Sequence, residues 1–423
     1  MLAQTNHLRC SKRQYQMLRY LCRCSKNLYN VGLYTTRQWF FENGTFLKYP
    51  QNYHLCKTNE NYKILQAATA QQTLKFVERN MRSFFGLLSL YKNGRVDKPS
   101  IPRYLDKDGY FLVAFPRNAF SIIDGIVQLG VSQELKKQNP DAHEMLRFTL
   151  PKNLLPFADK VQEIHILPLY DGRAFRIKYV YTETKPEPDP TPDPSRFLAI
   201  DLGLDNFATC VDTVTGTPQI ICGRYVKSLN RQYNKTNAQI QSIKDHQKIT
   251  SLTNRQMRLL VSRGTRINEF MNRAVHHIVQ YCLDNRIGNI CIGELAGIKQ
   301  SINHGKKNNQ NFVQIPYGKF KQKLASKCEF YGIQYHLVDE AYTSRTDALA
   351  GDEIRDQEYG KSRRVKRGLY QSSTGMLLNA DVNGAINIMR KVAGDSVLEQ
   401  IIGRGRVNRP VRIRLAYEQS SCE

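Results

Sequence analysis

The 423-residue sequence has no CxxC pair among its ten cysteines, which stand at positions 10, 22, 24, 56, 210, 222, 282, 291, 328 and 422. Without thiols at that spacing a ribbon-type zinc site has no signature, and scattered single cysteines read as reduced packing residues rather than a disulfide framework. No apolar run is long enough to cross a bilayer, and the opening MLAQTNHLRC lacks the basic-then-apolar layout of an export signal. The expectation is a cytoplasmic chain, nucleoid-associated when bound to DNA, without a membrane partner. Repeats of solenoid length are also missing, so the length divides into two or three domains, each with its own core. The scarce charge is the negative one: 37 Asp and Glu stand against 62 Lys and Arg, a net +25. Such a deficit points to a polyanionic partner, and the basic excess is densest between Arg224 and Phe330.

What is present divides the chain. From Ser11 to about Leu90 apolar residues recur at three- and four-residue steps, as in Tyr15, Leu18, Leu21 and Cys22, which predicts a helical module. From Pro99 to Tyr181 the pattern changes to short strands and turns. Asp171-Gly172, between EIHILPLY and RAFRIKYVY, is the clearest hairpin signal. Proline then recurs at every second position from Pro186 to Pro194, which removes backbone donors and predicts an extended linker over 186–195.

The second half opens with RFLAIDLGLDNFATCVD and PQIICGR, three short strands. Helical pattern follows from about Val226 to Asn285, then the strand NICIGEL, a helix from Tyr317 to Tyr331, the strand IQYHLVDE, and a last helix near Asp381. The order βββαβαβα predicts an α/β, RNase H-like fold with long additions.

Three acids carry the candidate chemistry. Asp201 ends the apolar strand Phe197–Ile200, Glu294 ends the strand Ile290–Gly293, and Asp381 lies at a helix start. Carboxylates at the rim of a hydrophobic sheet are desolvated and repel one another unless a cation compensates them. Mg²⁺ is the hard cation suited to oxygen ligands, and two such ions can stabilise the attacking and leaving oxygens of in-line phosphodiester cleavage. Asp205, Asp212, Asp339 and Glu340 compete for the role and read as structural or supporting acids. For Asp381 taken alone, favourable interaction with the helix dipole is the plainer account.

The segments AIDLGLDNFAT, ICIGELAGIK, QIPYGKFKQKLASKCEFYGIQYHLVDEAYTSR and LLNADVNGAINIMRK resemble the TnpB (OrfB) family of insertion-sequence-encoded RNA-guided DNA nucleases, relatives of the small type V CRISPR effectors. The resemblance covers most of Phe197 to Lys391 and implies a RuvC-type site with catalytic, metal-holding Asp201, Glu294 and Asp381. It implies two Mg²⁺ ions, with Mn²⁺ as a substitute. It further implies a nuclease domain over 196–340 and 376–395, and a wedge-like β domain over 1–10 and 96–185 interrupted by a helical recognition module over 11–95. Residues 341–375 correspond to the target-nucleic-acid-binding insertion, and 396–423 form a basic tail. Many family members carry a four-cysteine zinc ribbon in that insertion. Here Arg345-Thr346-Asp347-Ala348-Leu349-Ala350 and GLYQSSTGMLL hold neither Cys nor His, so no zinc is expected.

The implied partners are a guide RNA, of transposon or CRISPR origin, and target double-stranded DNA with a short flanking motif. Two alternatives remain open on these residues: a nuclease-inactive RNA-guided repressor, and an RNA-independent structure-specific nuclease. Oligomeric state is not readable. Arg255, Arg258, Arg263, Arg266 and Arg273 form a helical stripe that suits either a phosphate backbone or solvent. His276 and His277, adjacent on a helix, diverge and read as packing or surface residues. Trp39-Phe40-Phe41 read as core or base-stacking aromatics. The run Lys361–Arg367 and the segment GRGRVNRPVRIRL are further basic candidates.

Overall fold

The computed structural model describes residues 1–184, 191–294, 315–355, 364–366 and 368–415. The chain forms two compact units, Met1–Thr184 and Lys185–Glu423. The linker region expected at 186–195 falls at their junction, though 185–190 lie outside the described residues.

In the first unit, strand β1 (Leu2–Leu8) leads into helices α1 (Lys12–Asn43), α2 (Tyr49–Cys56), α3 (Glu60–Ile64) and α4 (Ala67–Lys92). Helix α1 starts where Ser11 and Gln14 exchange side-chain-to-backbone hydrogen bonds, and it ends at Gly44, whose φ of 64° only glycine adopts without strain. Strands β2 (Val113–Pro116), β3 (Phe120–Ile123), β4 (Ile126–Leu129) and β5 (Arg147–Thr149) follow, with short helices α5 (Gln133–Gln138) and α6 (Ala142–Met145) between β4 and β5. The unit closes with β6 (Val161–Leu169) and β7 (Ala174–Tyr181). One sheet has the order β1-β7-β6-β2 and another the order β3-β4-β5. Strand β1 pairs antiparallel with β7 from Leu2↔Tyr181 to Leu8↔Phe175, so everything between is inserted between neighbours. The expected hairpin is present, but its turn is wider than two residues: pairing stops at Leu169↔Ala174, and Tyr170, Asp171 and Gly172 all have positive φ.

The second unit is mixed α/β. Strands β8 (Asp193–Leu202), β9 (Asn206–Asp212) and β10 (Gln219–Cys222) lead into α7 (Arg224–His246) and α8 (Asn254–Asp284). Then come β11 (Ile287–Glu294), α9 (Tyr317–Tyr331) and β12 (Gln334–Asp339). Short strands β13 (Arg364–Lys366), β14 (Leu369–Gln371) and β15 (Leu377–Asn379) precede α10 (Ala380–Ala393), α11 (Val397–Ile402) and β16 (Val411–Ile413). The main sheet has the order β12-β11-β8-β9-β10-β16. Strand β9 runs antiparallel to its neighbours β8 and β10, whereas β11 runs parallel to both β8 and β12.

Two details depart from the sequence reading. The helical pattern from Val226 to Asn285 is two helices, because Thr253 caps a new start with a reciprocal bond to Gln256. Strand β8 begins inside the expected linker, at Asp193, whose N–H donates to the Arg286 carbonyl at 2.8 Å and so joins the ladder beside Ile287.

Each face of the sheet has its own core. On one face Leu198, Ile200, Leu202 and Ile292 pack with Phe270, Met271 and Val275 of α8 and Phe320 and Leu324 of α9. On the other, Ala199, Cys291 and Val338 pack against Val382, Ala385, Ile386 and Met389 of α10. The alternation Leu198-Ala199-Ile200 across these two clusters is strand periodicity read directly in the packing.

Candidate active site

Strand alternation fixes where Asp201 faces. It has the parity of Ala199 and therefore lies on the α10 side, at the carboxyl end of β8. Helix α10 meets it there. Asn379 caps that helix by accepting from the Asp381 N–H at 2.9 Å, so Asp381 stands in the first helical turn. Three residues on, a Cβ at Gly384 would come within 2.9 Å of Asp201 Oδ2, so the absent side chain is what lets the helix approach the carboxylate. The Asn206 amide donates to Asp381 Oδ2 at 2.7 Å, reaching across from the start of β9.

The electrostatics follow from that crowding. Burial pushes Asp201 well above the usual carboxylate range, and the Asp381 and Glu340 carboxylates add to the push; the Leu202 N–H and Arg364 oppose it. Glu340, just beyond the end of β12, is raised to about 7 by burial, with Asp339 adding and Lys321 and Lys391 opposing. Its Oε1 is buried with no hydrogen-bond partner. Lys321 is itself pulled down by burial, against the opposing pull of Glu340 and Glu294.

The structure brings Asp201 and Asp381 together, with Glu340 as a further carboxylate acting on Asp201. Glu294 is exposed at the end of β11, and its charge acts on Lys321 together with that of Glu340. Among the described residues, no three His, Cys, Asp or Glu side chains gather closely enough to form a metal cage. The residue the sequence reading set aside is Glu340. The signal for it lay in strand parity: Val338 packs on the α10 side and Glu340 follows it by two.

The other acids are accounted for. Asp205 pairs with Lys227 at 2.7 Å. Buried Asp212 accepts from the Val214 and Thr215 N–H groups and from the Thr215 and Tyr281 hydroxyls, which makes it a turn fastener. Asp339 is exposed and lies 4.0 Å from Lys391.

Helix α10 is held from behind. Asn383 Nδ2 donates to the Thr346 carbonyl at 2.7 Å, and its Oδ1 accepts from the Ala348 N–H at 3.0 Å. Asn387 Nδ2 donates to the Thr343 and Thr346 carbonyls, and its Oδ1 accepts from Arg390. Asp347, fully buried, accepts from the Ser373 N–H at 2.7 Å and the Ser372 hydroxyl at 3.0 Å, tying the loop after β12 to the β14–β15 turn. Burial pushes its carboxyl upward, but the hydrogen bonds from Ser373, Ser372 and Ala350 outweigh that and hold it below the usual value.

The basic candidates separate. Arg255, Arg258 and Arg266 are exposed along α8, whereas Arg263 donates to Asn230 at 2.7 Å and lies over the Tyr233 ring, fastening α8 to α7. His277 sits 2.9 Å from Gln219 and His276 is exposed, in keeping with packing and surface roles. Phe40 makes an edge contact with Phe85, while Trp39 and Phe41 are 37% and 60% exposed. Most of the run Lys361–Arg367 lies outside the described residues, as do 295–299 of the ICIGELAGIK segment and the chain after 415.

The two family models match almost entirely within the second unit. Residues 178–299 match a family described as a probable transposase, OrfB of the IS605 type, and residues 317–388 match the Cas12f1-like TNB domain. The TnpB-like protein ORF457 of Acidianus two-tailed virus is 23% identical, the match covering 91% of this chain and 85% of that protein. Among solved structures, a Cas12f1–sgRNA–target DNA complex is similar in fold, with a TM-score of 0.55, 16% identity, and 89% of this chain and 83% of that one covered.

Proposed function

Because the chain belongs to the TnpB family, we propose that it is an RNA-guided DNA endonuclease that cuts double-stranded target DNA at a single RuvC-type site. The observation that carries this reading is the meeting of Asp201, at the end of a central strand, with Asp381, at the start of the helix packed on that strand. The strand order β10-β9-β8-β11-β12, with the first three antiparallel and the last two parallel to β8, supports an RNase H-like core. The similar solved structure is of Cas12f1 with sgRNA and target DNA, which supports the same two partners here.

The residues present fit a divalent metal. The donors are carboxylate oxygens, Asp201 is held above its normal range by burial and by like charges, and an oxygen of Glu340, one of those charges, is buried and unpartnered. Asp201, Glu294 and Asp381 would hold the ions, Mg²⁺ or Mn²⁺ as substitute. When bound, such ions supply charge stabilisation for the attacking and leaving oxygens of the phosphodiester. The remaining work belongs to the chain. The Asn206 amide fixes one oxygen of Asp381, Gly384 keeps the approach to Asp201 open, and exposed Arg255, Arg258 and Arg266 offer guanidinium groups to nucleic-acid phosphates. No zinc site is proposed in the 341–375 insertion, where Asp347 and its hydrogen bonds join the two loops.

The test is cleavage of a matched plasmid by the full chain purified with its co-expressed RNA. Asp201→Asn and Asp381→Asn should each abolish cutting while leaving RNA and target binding intact. Cutting that survives either substitution removes the site assignment, and cutting that survives RNase treatment before assembly removes the guide. A parent protein that binds matched DNA without ever cutting it would favour a repressor instead.

A further inference from the structure

We propose that β16, the last strand described, belongs to the cleavage apparatus: Arg412 is a positioning residue that orients Asn206 and, through it, the metal-holding Asp381. The inference rests on the RuvC-type reading above and deepens it. It also gives a role to part of the segment GRGRVNRPVRIRL, which basic composition alone left without one.

A bulge aims Asn206. Along β9, Ala208 and Cys210 pack in the α8–α9 core and Val211 on the α10 side, so regular alternation would turn Asn206 toward α8 and α9 as well. The β9–β10 ladder does not stay regular. Ile221 pairs with Ala208 but Cys222 pairs with Asn206, which makes Phe207 an extra residue on β9. Phe207 stays in the α8–α9 core, edge-on to Phe270 and Phe320. That one-residue slip turns Asn206 to the opposite face, where its Nδ2 donates to Asp381 Oδ2 at 2.7 Å.

Strand β16 brings Arg412 to the same face. Its register is set by the Val411 N–H, which donates to the Pro218 carbonyl at 2.8 Å, and by parallel pairing of Ile220 with Arg412 and Ile221 with Ile413. Ile413 and Leu415 pack against the α8–α9 core, so alternation leaves Arg412 on the α10 side. There, reaching across β10, its Nη1 donates to Asn206 Oδ1 at 3.2 Å.

The two bonds act in series. An amide has a donor end and an acceptor end, and reversing Asn206 would set its oxygen against the Asp381 carboxylate. A guanidinium only donates, so Arg412 holds that oxygen outward and keeps the amide N–H on Asp381 Oδ2. Its charge also polarises the amide and strengthens the second bond. Arg412 is itself exposed, so replacing it leaves both cores of the unit intact.

Full chain purified free of RNA would be titrated with Mn²⁺, the free ion followed by electron paramagnetic resonance, and the same variants assayed for plasmid cleavage after RNA loading. The sign of the effect separates orientation from charge. Removing a nearby cation by itself tightens Mn²⁺ binding, whereas removing the group that orients Asn206 weakens it. Arg412→Ala should weaken Mn²⁺ binding and lower cleavage by about tenfold, the scale seen when the partner of a metal-ligating group is lost. Asn206→Ala should do at least as much, and the double variant no more than Asn206→Ala alone, because both residues act through one bond. Arg414→Ala removes an equal charge from the same strand and should bind Mn²⁺ at least as well as the parent. Thermal melts confirm that each variant is folded. The proposal is overturned if folded Arg412→Ala binds Mn²⁺ as well as the parent or better, which would make Arg412 a nucleic-acid contact. It is equally overturned if Arg414→Ala weakens Mn²⁺ as much as Arg412→Ala, or if the two single losses multiply in the double variant. Asp201→Asn separates the two readings. Mn²⁺ binding lost there but normal in Arg412→Ala sinks only the role of Arg412, whereas normal binding in Asp201→Asn sinks the metal site as a whole.

Discussion

At the scale of single residues, the site is a stability deficit kept for function. Asp201 is pushed upward by burial and by two neighbouring carboxylates, so in metal-free protein its ionised form opposes folding. Asp201→Asn should therefore raise the metal-free stability of the second unit while abolishing cleavage. Thermal melts in chelator, set beside plasmid assays, check both halves; a variant less stable than the parent would contradict the repulsion. Gly384→Ala tests the opposite trade. Alanine exceeds glycine in helix propensity by about 0.8–1 kcal/mol, but here its Cβ meets Asp201 Oδ2. The expected outcome is cleavage lowered by about tenfold to 100-fold in a folded protein, since small misplacements of reacting groups are costly. Asp201 and Asp381 were legible in the sequence because a strand that ends on a carboxylate and a capped helix start are local patterns. Glu340 stood only among the competing acids, because its neighbour Gly293 lies 47 positions earlier and the β11–β12 pairing brings the two together.

At the scale of elements, α10 is the part that must not drift, and its fastenings are polar. Asn387 satisfies two buried carbonyls and a buried guanidinium at once. Asn387→Ala removes all three bonds, although the Thr346 carbonyl keeps its bond from Asn383 and Arg390 its bonds to Asp395 and the Asp352 carbonyl. It should cost about 1–3 kcal/mol in chemical denaturation with a matching loss of cleavage. Asp347 gives this region an acid sensitivity. Its folded pKa lies below the unfolded value of 3.8, so its contribution is fully present above that value and is lost as pH falls through the folded pKa. The parent should therefore lose stability below about pH 4 more steeply than Asp347→Asn does, as read from denaturant midpoints across pH 2–6. Periodicity anticipated most helices and strands of this unit. It missed the break between α7 and α8, where basic helical pattern continues on both sides and only the Thr253–Gln256 cap marks the restart. It also missed the extent of β8, whose first residues are held by the ladder rather than by apolar pattern.

At the scale of the molecule, the +25 charge is a statement about partners. The exposed residues Arg255, Arg258 and Arg266 form one outward stripe of α8, whereas Arg263 is engaged with Asn230. Replacing the three exposed arginines by Gln should weaken guide-RNA binding and flatten the slope of log affinity against log salt by about 2, roughly 0.7 for each single-strand phosphate left without its guanidinium. An unchanged slope in filter binding from low to moderate salt would assign the stripe to solvent.

The pairing of β1 with β7 bears on how the first unit is made. Residues Leu2–Leu8 leave the ribosome well before their hydrogen-bonding partners, which belong to the last strand of the unit, up to Tyr181. At about 5–20 residues per second the leading strand waits on the order of ten seconds or more for its partner, while the helices between can form as they emerge. Closing that pair joins positions far apart in the chain, the kind of pairing that slows folding. A nascent chain stalled before Ala174 emerges should leave β1 open to protease with α1 and α4 already protected, and release of the arrested chain should close it.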